Sequence, residues 1–169
     1  MHTLYLLRHG KSSWTDPALA DHDRPLAPRG QRDAKRIATY LARLEIGPEL
    51  VLCSSATRTL ETLELVRAAF GATSIVRLES ELYAASSDEL LERLRTVHET
   101  VVSVMLIGHN PGLQDLALAL ASEGAELDRL QAKFPTAALA TLTVPRTPWS
   151  QLSEGDAVLS AYVVPKQLG

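Results

Sequence analysis

The stretch LYLLRHGKSSW, Leu4 to Trp14, decides how the rest of the chain is read. Leu4, Tyr5, Leu6 and Leu7 form a short apolar run, the mark of a strand covered on both faces. Arg8, His9 and Gly10 follow with no spacer. A cation and an imidazole do not belong inside a core, so a buried strand can carry them only at its exit. The question is what waits there.

Working outward, the same alternation recurs. ELVLCS (49–54), SIVRL (74–78) and VVSVMLIGH (101–109) read as further strands, the last and longest as the central one. Between them, RGQRDAKRIATYLARL (29–44) places Ala34, Ile37, Ala38, Leu41 and Leu44 on one helical face. ATRTLETLELVRAAF (56–70) spaces Leu63, Val66 and Phe70 for the core. SSDELLERLRTVHE (86–99) begins with a capping box, Ser86 with Glu89, and aligns Leu90, Leu94 and Val97. NPGLQDLALALA (110–121) opens a helix with Asn110 as cap and Pro111 at its first position. AALATLTV (137–144) and AVLSAYVV (157–164) close the chain as two strands, read as a hairpin. Strand–helix alternation predicts an α/β sandwich with a mostly parallel sheet, and such sheets bind ligands beyond their carboxyl ends. Arg8-His9, Ser54 to Arg58, and His109-Asn110 all fall at those ends.

The 169 residues suit one domain, 1–169, with no repeat or linker. The net charge of −3 provides no overall basic field for nucleic acid. A single cysteine fits a reducing compartment. LYLL is too short for a signal core or a membrane span. The expectation is a cytoplasmic protein with neither nucleic acid nor membrane as partner.

Two histidines and two arginines at strand ends point to an oxyanion handled by an imidazole. Guanidinium grips phosphate oxygens with paired donors. A neutral imidazole held in one tautomer is a nucleophile, and nearby arginines disfavour its protonation. Other residues have plainer readings. His2, His22 and His98 read as ordinary. Asp21 and Asp23 in DHDRPLAPRG (21–30) could pair with Arg24 and Arg29 and order that loop. Cys53 opens CSSATR (53–58), but only four residues separate it from Arg58, one fewer than the five of the tyrosine-phosphatase signature. It reads as a core residue.

Arg8-His9-Gly10 after an apolar strand, SSATRT (54–59) and GHNPG (108–112) together resemble the histidine phosphatase superfamily. RHGKSSW followed by DHDRPLAPRG resembles its small phosphohistidine phosphatase branch, SixA-like, over nearly the whole chain. The resemblance implies a three-layer α/β/α sandwich with a mostly parallel mixed sheet, phosphoglycerate mutase-like. It implies His9 as nucleophile, transiently phosphorylated, with Arg8, Arg58 and His109 around the phosphoryl oxygens. Lys11, Arg24 and Asp21 are further candidates for binding phosphate or substrate. The implied enzyme needs no metal or other cofactor, and the sequence has no metal-ligand spacing. The implied partner is a phosphohistidine-bearing protein of a phosphorelay or phosphotransfer type. Many members carry a proton-donating acid in a Glu-Gly-like stretch after the third strand. LESELYAASSDEL (78–90) has none, which leaves Glu81 and Asp21 as alternatives. The rival functions are a general phosphomonoesterase of the same fold, acting on a small sugar or nucleotide phosphate, and a non-catalytic phosphohistidine-binding module.

Overall fold

The computed structural model describes Met1–Gly169. Its strands are β1 (His2–Arg8), β2 (Leu50–Ser54), β3 (Ile75–Glu79), β4 (Ser103–Gly108), β5 (Ala121–Glu123), β6 (Leu139–Val144) and β7 (Ala157–Val163). Its helices are α1 (Pro28–Arg43), α2 (Thr57–Arg67), α3 (Ser87–Arg95), α4 (Gly112–Leu120) and α5 (Leu127–Ala132). The strands make one sheet in the order β3-β2-β4-β1-β6-β7-β5. Only β6 runs against its neighbours. The centre is therefore β1 and not β4, which lies beside it and, at six residues, is shorter than the seven of β1 because pairing begins only at Ser103.

Alternation along the strands sorts the core into two layers. Leu4, Leu6, Leu52, Val104 and Leu106 meet Leu90 and Leu94 of α3, Leu113, Leu116 and Leu120 of α4, and Leu130 of α5. Leu7, Val51, Cys53, Met105 and Ile107 meet Ile37 and Leu41 of α1, and Leu63 and Val66 of α2, on the other face. Each leucine buried this way contributes about 1.5–3 kcal/mol. The result is a three-layer α/β/α sandwich. No helix is long and apolar enough to cross a membrane.

Several expectations need correction. Leu44 lies beyond the last residue of α1 and is half-exposed, and Phe70 only flanks the core. The LALALA run ends its helix at Leu120, and residues 121–123 add an edge strand beside β7. The short α5 escapes a periodicity reading because it buries only Leu130. Helix α4 starts at Gly112, with Pro111 at the cap position. Asn110 precedes the cap, yet its Oδ1 still accepts from Gln114 N (3.3 Å). The capping box at Ser86 and Glu89 forms as read.

Candidate active site

The exit of β1 answers the opening question. His9 N donates to Gly108 O (3.1 Å), and His9 O accepts from Ala137 N (2.9 Å). The backbone of His9 is thus pinned between the ends of β4 and the loop before β6. Gly10 then passes against the first turn of α1. A Cβ on Gly10 would lie 2.7 Å from Gly30 O, and one on Gly30 would lie 2.2 Å from Lys11 O. Glycine at both places is a steric requirement. Thr62 of α2 ties this loop to Arg58: its Oγ1 accepts from Gly10 N (3.1 Å) and donates to Arg58 O (2.8 Å).

The His9 and His109 rings lie 5.2 Å apart, centroid to centroid, both buried. Hydrogen-bond partners assign their tautomers. His9 Nδ1 is 2.7 Å from Gly10 O, which only accepts, so Nδ1 carries the proton. Arg58 Nε, which only donates, points at His9 Nε2 (3.3 Å). Nε2 therefore keeps its lone pair. His109 is the reverse. Arg58 Nη2 faces its Nδ1 (3.4 Å), and its Nε2 meets Ser54 Oγ (2.7 Å). Burial, reinforced by Arg58 and Arg8, pushes the His9 pKa down to about 4. Burial, then His9 and Arg58, pushes His109 down to about 3. Both rings are neutral at pH 7.

Arg58 is the hub. Besides the two imidazoles it donates to Asp21 O (2.7 Å, Nη1) and Asp21 Oδ2 (3.0 Å, Nη2). Tyr83 OH donates to the same Oδ2 (2.5 Å). Tyr83 first, then Arg58, holds the Asp21 carboxyl below its usual range, so it stays ionised. Arg8 donates Nη1 to Phe134 O (3.0 Å), while its buried Nε has no protein acceptor. Burial first, then Arg58, lowers the Arg8 pKa. Two cations so close together accumulate charge suited to an anion.

Arg8, His9, Arg58, His109 and Asp21 therefore converge. Other candidates do not. Arg24 is buried, but its donors go to the carbonyls of Asp16, Pro17 and Leu19, and Trp14 stacks on its guanidinium at 3.6 Å. It braces the loop. Lys11 gives its backbone to the contact with α1, and its side chain is exposed. Glu81 is exposed, on the Arg93 side of the turn after β3, and its charge is felt by Arg93. The loop pairing also differs from the expectation. Asp21 takes Arg58, Asp23 lies beside His22, and Arg29 reaches Asp33. Cys53 is fully buried, and burial pushes its thiol up to about 12.

Sequence reasoning missed three residues. Ser54 stood inside a marked stretch without a role. Tyr83 reaches Asp21 across 62 positions, and its ring meets His109 edge-on at 5.4 Å. His22, read as ordinary, meets Ser55 Oγ (2.9 Å) and the Tyr83 ring (4.8 Å) at the rim. A polar loop next to the first motif was the only signal.

Comparison with known proteins places the chain in a family. The profile of the histidine phosphatase superfamily (branch 1) matches residues 4–83. Uncharacterized protein Rv1276c of Mycobacterium tuberculosis is 37% identical over 164 residues, 95% of this chain and 100% of its own. A solved structure of a candidate phosphohistidine phosphatase SixA from Nakamurella multipartitia superposes with a TM-score of 0.82 at 31% identity, covering 97% of this chain and 96% of that one. The protein histidine phosphatase SixA complexed with tungstate gives 0.80 at 26% identity, covering 99% of each chain. This chain belongs to the histidine phosphatase superfamily, in its SixA-like branch.

Proposed function

We propose that the protein is a phosphohistidine phosphatase that removes phosphate from phosphohistidine on a partner protein, with His9 as the nucleophile and no metal. The observation that carries this reading is the lone pair on His9 Nε2, opposite an Nδ1–H held by Gly10 O, among guanidinium donors. The resting contact from Arg58 Nε to that lone pair is long and therefore weak. An incoming phosphoryl oxygen offers Arg58 a better acceptor and uncovers the nitrogen. The unpartnered Nε of Arg8 supplies another donor already desolvated in place.

In the first step, His9 Nε2 forms a bond to phosphorus as the P–N bond of the substrate breaks. The bond's electron pair leaves with the substrate imidazole. When the substrate ring's other nitrogen bears a proton, that imidazole departs neutral. Water then attacks phospho-His9, inorganic phosphate is released, and His9 regains its lone pair. The partner would be a phosphorelay or phosphotransfer protein. A non-catalytic binding module has no use for a nucleophile held in its reactive tautomer.

Substrate class follows from the acid. An alkyl ester needs a proton on its leaving oxygen, whereas a protonated phosphohistidine does not. The nearest carboxyl, Asp21, is held ionised by Tyr83 and Arg58 and is a poor donor at rest. Phosphohistidine should be cleaved much faster than phosphoserine or glycerol phosphate, with aryl phosphates between them. Measuring kcat/KM for these substrates side by side tests the reading. Equal rates on alkyl phosphates, with Asp21 or Glu81 essential for them, would replace it with a general phosphomonoesterase acting on a small sugar or nucleotide phosphate.

A further inference from the structure

A second charged feature lies beside the active site and outside it. A cleft of about 540 Å³ is lined by Arg29, Arg36, Arg129, Lys133 and Lys166, with Asp33 as its only carboxylate. These are five of the 17 Lys and Arg residues in a chain whose net charge is −3. Asp33 is buried and shared by Arg36 (3.1 Å) and Arg29 (3.7 Å). Arg129 is paired with Glu126. Neither lysine side chain has an acceptor of its own, and three positive charges remain uncompensated. A concave wall of one sign focuses potential and draws in an opposite charge.

The topology places this cleft next to His9. Strand β7 runs parallel to β1, with β6 antiparallel between them. Leu7 is in register with Leu139, and Leu139 with Val163. The end of β7, which leads into Lys166, is thus two strand spacings, about 10 Å, from the end of β1. Arg29 is next to Gly30, whose Cα backs onto the loop after His9. Lys133 is next to Phe134, whose carbonyl holds Arg8. A protein that presents a side chain to His9 must lay its neighbouring residues over this cleft.

We propose that the cleft docks an acidic segment flanking the phosphohistidine of the substrate protein. The inference rests on the function proposed above and adds the chemistry of the partner's surface. An extended chain advances about 3.3 Å per residue. Asp or Glu about three to five positions from the phosphohistidine would meet the lysines.

The test uses two phosphohistidine peptides, one flanked by glutamates and one by serines and glycines, with free phosphohistidine as a control. The wild-type protein should show a kcat/KM about tenfold higher for the acidic peptide, shrinking as salt is added. The double substitution Lys133→Glu with Lys166→Glu should abolish or reverse that preference. Both positions are exposed, and free phosphohistidine, too short to reach them, reports whether the His9 pocket is intact. Equal rates on the two peptides in the wild type, or an unchanged preference in the variant, would overturn the inference and leave the phosphatase reading standing. Failure of the wild type to cleave any phosphohistidine substrate would remove both.

Discussion

Ser54 Oγ stands 2.7 Å from His109 Nε2, where neither atom faces open solvent. Arg58 donates to the other nitrogen of that ring, so the proton of His109 sits on Nε2 and Ser54 accepts it. The two imidazoles of the candidate site therefore carry their protons on opposite nitrogens, Nδ1 in His9 and Nε2 in His109. Nitrogen NMR of the imidazoles should report this pair directly. In Ser54→Ala the buried Nε2–H loses its acceptor. Turnover should fall about tenfold, less than the roughly 10²–10³-fold expected for His109→Ala if that ring faces the phosphoryl group. Wild-type turnover in Ser54→Ala would show that the hydroxyl does not set the ring.

His9→Ala should lose at least about 10³-fold in turnover, some 4 kcal/mol of barrier, if Nε2 is the attacking atom. Quenching the wild-type reaction in alkali should preserve phosphate on His9, and quenching in acid should lose it. A variant that keeps half of the wild-type rate would exclude this nucleophile.

Arg58 serves Asp21 and both imidazoles from three nitrogens of one plane. Arg58→Ala should cost about 3–4 kcal/mol in barrier. Arg58→Lys should recover little, because an ammonium cannot span three partners in that geometry. Chelators should leave the rate unchanged, and rescue of chelated protein by added metal would contradict the proposed chemistry.

Acid should separate stability from catalysis. The pKa values of His9 and His109 fall from 6.5 to about 4 and about 3 on folding. Below pH 6.5 the unfolded chain takes up protons that the folded rings refuse. Their contribution is complete above that pH and is lost on acidification through the window down to pH 3–4, about 3–5 kcal/mol per ring. The melting temperature should drop between pH 6.5 and 4.5. kcat/KM on an aryl phosphate, corrected for the substrate's own ionisation, should stay level there and fall only near pH 4. An enzyme group titrating near 6.5 would mean that His9 is not held neutral.

What could be read from sequence depended on how far each residue's role lies from its own segment. Arg8, His9, Arg58 and His109 stand at or just beyond strand ends, and strand ends are visible in hydrophobic runs. The meeting of Ser54 with His109 depends on β2 pairing with β4, Cys53 opposite Ile107, and no local pattern encodes that register. Asp21 finds Arg58 37 positions away, and Tyr83 comes from the far side of the sheet order. Loop charges were paired with one another, whereas folding gives Asp21 to Arg58 of α2 and Arg29 to Asp33 of its own helix. Arg24 shows the same limit from the other side. Its motif context suggested a phosphate, and its guanidinium closes a turn.

The buried Cys53 has a consequence for life under oxidative stress. Peroxide attacks thiolates that are exposed, and this sulfur is neither, being fully covered with its thiol pKa near 12. Around the β1 exit stand imidazoles, guanidiniums, a carboxylate, a phenol and a hydroxyl. None forms a sulfenic acid. A burst of hydrogen peroxide that silences thiolate phosphatases should therefore leave this pocket unmodified.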